Sequence, residues 1–230
     1  SPKIAPGLFE DIATLGEASV RRIYGDFSGT RNKGWADILS TFAIMPYQNF
    51  AYTTGKNASD IALVIDAMDL LHSGRFDGFC LVSSDSDFTR LAARIREQGL
   101  DVYGFGERKT PESFRQACRR FIYTENLLPE APAPFDEGGP SRAQPARGER
   151  VREPAAAAVP LIEKAIAVLD EDSDSWVTLG AVGTQLAALS SDFDPRSYGA
   201  GKLSELVRRT GAFEMRKDET GALVIRPGRR

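Results

Sequence analysis

The first half of the chain alternates between two spacings of its apolar residues. Short apolar runs such as 79–82 predict buried strands, whereas apolar positions three and four residues apart, as in 58–71, predict amphipathic helices. The predicted strands are 20–24, 49–53, 79–82, 100–105 and 121–123, and the predicted helices are 2–15, 35–43, 58–71, 88–98 and 112–119. This alternation favours an α/β fold with a mainly parallel sheet covered by helices on both faces.

The composition changes sharply after Leu128. Residues 129–158 are rich in Pro, Ala and Gly and have almost no large apolar side chains, which predicts an extended, mobile linker. Beyond the linker, three helical stretches and two short strands that can form a hairpin give the outline of a winged helix-turn-helix. We therefore predict an α/β domain over 1–128, the linker over 129–158, and a small α+β domain over 159–230.

Composition and charge exclude several classes of protein. The 230 residues have a net charge of −3, so any contact with nucleic acid must come from a local basic patch. A single histidine, His72, and two distant cysteines, Cys80 and Cys118, give little support for a Ser-His-Asp triad or a zinc centre. Cysteines in apolar surroundings, with no membrane-length apolar run and no secretory signal, predict a cytoplasmic protein that does not contact a membrane.

The most informative segment is 79–88, where a strand-like apolar run ends in two serines and two aspartates. Ligands bind at the carboxyl ends of the strands in open α/β sheets. Asp85 and Asp87 at such an end are typical ligands of a hard divalent cation such as Mg²⁺ or Mn²⁺. The alternative is that Ser84 or Asp85 caps the helix that follows, which explains one aspartate more easily than it explains two.

A second acidic element opens the predicted helix 58–71. Asp60 lies in its first turn, where the helix dipole favours a carboxylate, and that structural role alone could account for it. Asp66 interrupts an apolar stretch, but on a helix its side chain points about 120° away from that of Asp60. Asp60 is therefore the better candidate for a metal ligand. Asp26, after the strand 20–24, is either a further candidate on the same sheet edge or a turn carboxylate.

The C-terminal segment has a local basic surplus. From Arg196 onward it contains nine basic and four acidic residues, a net charge of +5. Such a surplus can hold phosphates in a salt-sensitive way, but solvated helix faces also carry such charges.

Three stretches of the chain resemble the NYN family, the PIN-like nucleases of the wider FLAP-nuclease-like group. They are residues 23–27, residues 55–60 continuing to Asp66, and residues 82–88, and the resemblance covers roughly residues 1–126. The C-terminal segment resembles an OST-HTH/LOTUS domain, through residues 176–179, 193–199 and 202–207.

The resemblance implies a Rossmann-like PIN/NYN fold and a divalent-metal-dependent endoribonuclease. Family members gather acidic residues at the strand ends to hold Mg²⁺ or Mn²⁺, and Asp60, Asp85 and Asp87 are the matching catalytic and metal-binding positions. Lys56, Asn57 and Ser84 are expected to orient the phosphate or the water. In the LOTUS domain, which is associated with RNA binding or with docking to protein partners, Tyr198 and Lys202 are the expected RNA contacts.

Two other functions remain open at this point. A non-catalytic RNA-binding or adaptor protein would keep the fold and regulate RNA through the LOTUS domain, and a phosphatase of another α/β class would hydrolyse small phosphate esters. The chain also departs from the NYN pattern, because NYN domains normally begin with a strand that ends in an aspartate. We expect that first strand and its carboxylate to be missing here, with a loss of activity.

Overall fold

The computed structural model describes residues 1–49, 57–128, 152–170 and 175–228. Its N-terminal domain is an α/β structure in which strands and helices alternate, as the apolar spacing predicts. The helices are α1 (Ala5–Leu15), α2 (Lys33–Ala36), α3 (Ala58–His72), α4 (Thr89–Glu97) and α5 (Glu112–Ala117). The strands are β1 (Arg22–Gly25), β2 (Met45–Gln48), β3 (Gly78–Val82), β4 (Asp101–Gly106) and β5 (Arg120–Tyr123).

All strand pairing described in this domain is parallel, and it forms two sheets. One sheet is β1-β2, and the other has the order β3-β4-β5, in which Val82 is the register partner of Phe105 and Phe105 that of Ile122. Helix α3 contacts both sheets: Asp66 accepts hydrogen bonds from β1, while Leu71 packs in a core cluster with Leu81 of β3. The helix thus joins the two sheets into one domain.

Two apolar clusters cover opposite faces of the β3-β4-β5 sheet, as expected for a parallel sheet. On one face, α3, α4 and α5 contribute to the cluster that contains Ile95, Phe114 and Phe121. On the other face, α1 packs its Leu8 and Ile12 into a cluster with residues of β4 and β5.

The strand predicted at 49–53 falls, except for Asn49, outside the described part of the chain, and the structure shows a strand just before it that the sequence did not predict. The structure places β2 at Met45–Gln48 and ends it before Asn49, and residues 50–56 lie outside the described part of the chain. The sequence does not predict this strand because it contains Pro46. Proline has no amide hydrogen to donate to a neighbouring strand and is tolerated only at positions such as an edge strand. The helix predicted at 35–43 is also shorter, since α2 ends at Ala36 and Ala43 has a positive φ of 50° just before β2.

The C-terminal domain has three helices and a three-stranded antiparallel sheet, which confirms the winged-helix outline. Its elements are α6 (Val159–Leu169), β6 (Val177–Thr178), α7 (Leu179–Leu189), α8 (Leu203–Thr210), β7 (Phe213–Lys217) and β8 (Leu223–Pro227), with the sheet order β6-β8-β7. A helical turn at Ala155–Ala158 precedes α6, and Ala158 is buried in the core of this domain. The folded C-terminal domain therefore starts before residue 159, the boundary predicted from the sequence. Residues 155–158 are four alanines, which resemble a linker in composition but also form helices readily.

No helix in the described ranges is both long enough and apolar enough to cross a bilayer.

Gly106, the last residue of β4, allows a close approach between this strand and the turn after β3. A Cβ atom at this position would lie 2.5 Å from the Ser83 carbonyl oxygen and 2.8 Å from the Phe121 ring. We expect Gly106→Ala to lower the free energy of unfolding by about 1–3 kcal/mol, since the neighbouring backbone cannot move away cheaply. Urea unfolding of the purified variant measures the loss.

Gly180 in α7 provides the matched control for this substitution. A Cβ atom there has no neighbour within 4 Å, and the residue is helical. Gly180→Ala should leave stability unchanged or raise it by up to about 1 kcal/mol, as alanine does in a helix. Equal stability of both variants would contradict the close packing at Gly106.

Candidate functional site

The turn after β3 brings two carboxylates to the carboxyl edge of the sheet. The Ser83 amide still donates to the Phe105 carbonyl at 2.8 Å, so the parallel pairing extends one residue beyond the strand. The chain then turns, and buried Phe88 anchors the start of α4. Asp85 and Asp87 lie between these two fixed points and are exposed.

Asp85 is a capping residue in this structure as well as a candidate ligand. Its Oδ1 accepts a hydrogen bond from the Asp87 amide at 3.0 Å, while its own amide donates to Ser83 Oγ at 3.1 Å. The capping alternative raised by the sequence therefore applies to Asp85. It does not explain Asp87, whose Oδ2 accepts from the Asn57 side-chain amide at 3.3 Å.

The Asn57–Asp87 contact ties the first turn of α3 to the end of β3. Asp60 lies on that first turn and is half-buried. Burial raises the pKa of the Asp60 carboxyl, and the negative charges of Asp85 and Asp87 raise it further. The three predicted carboxylates thus lie close enough for their charges to interact, although Asp60 is 25 residues or more from the other two in the sequence.

A cavity of about 210 Å³ opens beside these carboxylates. Asn57, Asp60 and Asp87 form its polar side, and its apolar side is lined by Ile61, Val64, Ile65 and Phe88. The apolar wall is unusual for a helix surface, because Ile61 and Ile65 are 60% and 57% exposed. A ligand at this edge would meet charge on one side and hydrocarbon on the other.

The donor type and the charge at this edge fit a hard divalent cation. Carboxylate oxygens are the ligands that Mg²⁺ and Mn²⁺ prefer, and the mutual repulsion felt by Asp60 is the kind that a cation relieves. The positions of the side chains support a metal site less fully than their chemical type does. In the described ranges, no three His, Cys, Asp or Glu side chains are grouped so that together they could hold a metal ion.

The structure gives different surroundings to the other residues expected at this site. Ser84 Oγ accepts a hydrogen bond from the Glu107 amide at 2.8 Å and so connects the turn after β3 with the loop after β4. Lys56 lies outside the described residues. Sequence analysis did not identify the loop that begins at Glu107 as part of this site. That loop follows β4 and therefore starts at the same edge of the sheet.

Asp66 and Asp26 have structural partners outside the acidic cluster. Asp66 accepts hydrogen bonds from the Arg22 guanidinium and the Tyr24 hydroxyl, which holds α3 against β1. Asp26 accepts from the Ser28 amide at 2.9 Å and from Gln48 at 2.8 Å, as a turn carboxylate does. This arrangement agrees with the sequence prediction that the Asp66 and Asp60 side chains point in different directions from the same helix.

The two RNA-contact candidates in the C-terminal domain differ in exposure. Tyr198 is half-buried and packs its ring 6.0 Å from that of Phe193, and burial raises the pKa of its hydroxyl. Lys202 is exposed at the N-terminus of α8. Only Lys202 therefore presents its full side chain to an outside ligand.

Several basic residues of this domain are engaged in contacts within the domain or with the NYN domain. Arg196 binds Asp194 and Asp11, and the Arg226 guanidinium pairs with Glu214 at 2.6 Å. Arg216 and Arg226 also stack on Trp176, with guanidinium carbons 4.1 Å and 4.7 Å from the ring centroid. These basic side chains are therefore less available to an outside ligand than their number in the sequence suggests.

The sequence model of the NYN domain family matches residues 4–127, which is more than half of the chain. The chain belongs to the NYN domain family. A second model, the OST-HTH/LOTUS domain, matches residues 152–225. The two domains predicted from the motifs are therefore confirmed as an NYN domain followed by a LOTUS domain. NYN domains are generally nuclease-like, and LOTUS domains are associated with RNA or protein binding.

One solved structure similar to this chain is the crystal structure of a protein of unknown function from Vibrio parahaemolyticus. It shares 21% sequence identity, with a TM-score of 0.44, and the match covers 53% of this chain and 79% of that chain. A search of curated proteins finds no match.

The raised pKa of Asp60 makes its ionisation less favourable in the folded state than in the unfolded chain. The folded protein holds this proton more tightly than the unfolded chain does, so stability falls as pH rises from the ordinary pKa of 3.8 through the raised value. We expect Asp60→Asn to be more stable than the wild type at neutral pH, and the difference to vanish below the ordinary pKa. Urea unfolding across this pH range measures the difference.

Asp69, an exposed aspartate on the same helix, is the matched control. Asp69→Asn should show little change in stability over the same pH range. A less stable Asp60→Asn variant at neutral pH would show that Asp60 stabilises the fold, for example through the helix dipole.

Proposed function

We propose that this protein is a divalent-metal-dependent endoribonuclease whose active site contains Asp60, Asp85 and Asp87. The observation that supports the proposal most directly is the electrostatic coupling of these three carboxylates at the carboxyl edge of an NYN sheet. A bound Mg²⁺ or Mn²⁺ would polarise the phosphodiester and lower the pKa of a bound water for in-line attack.

The protein's own residues would place the substrate and hold the carboxylates. The Asn57–Asp87 hydrogen bond keeps the start of α3 at the end of β3, which sets the distance between Asp60 and the other two carboxylates. The Ser83 and Ser84 hydroxyls fix the turn that presents Asp85. We further propose that Lys56, Asn57 and Ser84 orient the scissile phosphate.

We propose that the LOTUS domain binds RNA, with Lys202 as a phosphate contact and Tyr198 beside it, or docks a protein partner. Lys202 is exposed at the start of α8, and this position supports its role because a helix N-terminus favours phosphate. We place this activity in the cytoplasm, because the two free cysteines, Cys80 and Cys118, are typical of a reducing compartment.

Cleavage of labelled RNA by the full-length protein in Mg²⁺, Mn²⁺ or EDTA tests the nuclease proposal. We expect cleavage only with a divalent cation, and a loss on the order of a hundredfold or more in Asp85→Asn and in Asp60→Asn. Asp69→Asn should cleave like the wild type. A thermal shift on adding Mn²⁺ should be present in the wild type and reduced in both site variants.

Wild-type rates in the Asp60 and Asp85 variants would remove the site assignment. RNA binding without cleavage in any metal would instead support the second function, a non-catalytic RNA-binding or adaptor protein. Hydrolysis of small phosphate esters without RNA cleavage would indicate a phosphatase.

RNA affinity measured against salt concentration tests the role of Lys202. We expect Lys202→Ala to weaken binding for all sequences alike and to reduce the salt slope by about 1, because one phosphate contact is lost. Lys164 on α6 is also exposed and serves as the control for a change in net charge. An equal effect of Lys164→Ala would show that only the overall charge matters.

A further inference from the structure

The two domains are in direct contact through a short segment of the LOTUS domain, residues 190–198, here called the docking segment. It follows α7 and lies against β5, α5 and the turn after β5 of the NYN domain. We infer that the docking segment holds the LOTUS domain on the carboxyl edge of the NYN sheet in solution, and that Arg108 links this docking to the turn that carries Asp85. This inference goes beyond the proposed function and does not depend on catalysis.

The first contact lies at the β5 edge of the NYN sheet. The Phe121 amide of β5 donates to the Ser191 carbonyl at 2.7 Å, and the Ser191 hydroxyl donates to the Arg115 carbonyl at 2.8 Å. β5 is the last strand of its sheet, and the unpaired groups of such an edge need a partner. The docking segment supplies one from the LOTUS domain.

The second contact is a shared carboxylate. Asp192 accepts hydrogen bonds from the Arg115 guanidinium and the Tyr123 hydroxyl of the NYN domain, and from Ser190 of its own segment at 2.6 Å. Burial acts to raise the pKa of Asp192, but these hydrogen bonds and the charge of Arg115 lower it. A carboxylate placed between two donors of the other domain is specific for that arrangement, since the LOTUS domain alone would leave it without its guanidinium and phenol partners.

Two further contacts extend along the same face. Arg196 holds both carboxylate oxygens of Asp11 on α1, at 3.0 Å and 2.7 Å. Asn126, in the turn after β5, donates to Ser197 Oγ at 3.0 Å, and both residues are buried, with 6% and 4% of their surfaces exposed. A pair of buried polar side chains that satisfy each other across the contact indicates a packed interface.

Arg108 connects this interface with the candidate active site. Its guanidinium donates to Glu153 at 2.9 Å and lies near the Ser197 carbonyl, both in the LOTUS domain. The preceding residue, Glu107, donates its amide to Ser84 Oγ. Release of the docking segment would therefore loosen the loop after β4 and, through Ser84, the turn that presents Asp85.

Cleavage of the chain between the two domains tests whether the docking segment holds them together. A specific protease site is inserted within residues 130–150, the purified protein is cleaved, and the two fragments are followed by size-exclusion chromatography. We expect the fragments to co-elute in the wild type. Asp192→Ala and Arg115→Ala, which change opposite sides of one contact, should each weaken the association about tenfold or more. The double variant should be little worse than either, because both remove the same interaction.

Glu163→Ala, an exposed change on α6, is the control and should leave co-elution unchanged. Separate elution of the wild-type fragments would overturn the docking. Association of the Asp192 and Arg115 variant fragments as tight as that of the wild type, measured by titrating one fragment with the other, would also overturn it, because the contact would then contribute nothing.

Hydrogen exchange of the Glu107 amide in the intact chain tests the link to the site. We expect this amide to exchange several-fold faster in Asp192→Ala and in Arg108→Gln than in the wild type or in Glu163→Ala. Unchanged exchange in variants that do release the LOTUS domain would overturn the role of Arg108. Neither measurement requires RNA cleavage, so failure of this inference and failure of the nuclease proposal remain distinguishable.

Discussion

The parallel pairing of β3, β4 and β5 is the constraint on which the rest of the structure depends. Strands that run in the same direction deliver the chain to the same edge of the sheet. The turn with Asp85, the loop with Arg108 and the turn with Asn126 therefore meet at one edge. The candidate active site and the docking surface of the LOTUS domain are linked through the loop after β4, because Glu107 contacts Ser84 and Arg108 contacts Glu153.

The arginine-paired carboxylates differ from those of the candidate site in their hydrogen-bond partners. Asp11, Asp66 and Asp192 each receive an arginine guanidinium, and they hold elements or domains together. The hydrogen bonds described for Asp85 and Asp87 come instead from backbone amides and the Asn57 side chain, which bring no positive charge. Asp60 consequently feels the charges of its acidic neighbours. This difference in partners separates the candidate site from the arginine-paired carboxylates.

Tertiary contacts also determine which basic residues are available to an outside ligand. The sequence after Arg196 has a clear positive surplus, yet Arg196 itself is used against Asp11 and Asp194. Arg226 pairs with Glu214 and stacks on Trp176. Charge available to a nucleic acid is therefore concentrated on exposed side chains such as Lys202, and a count along the sequence cannot distinguish these from the engaged ones.

The sequence by itself determined the α/β class, the winged-helix outline and the end of β3 at the acidic turn, because apolar periodicity and turn residues act over a few neighbours. It also separated Asp66 from Asp60, since helical geometry is local. Sequence analysis did not predict β2, because its partner strand β1, rather than its own residues, stabilises it. Only the tertiary structure decided that Asp60 lies near Asp85 and Asp87, and that Arg115, Tyr123 and Asp192 meet across two domains. These contacts join residues far apart in the chain, and no local pattern encodes which distant group will be the partner.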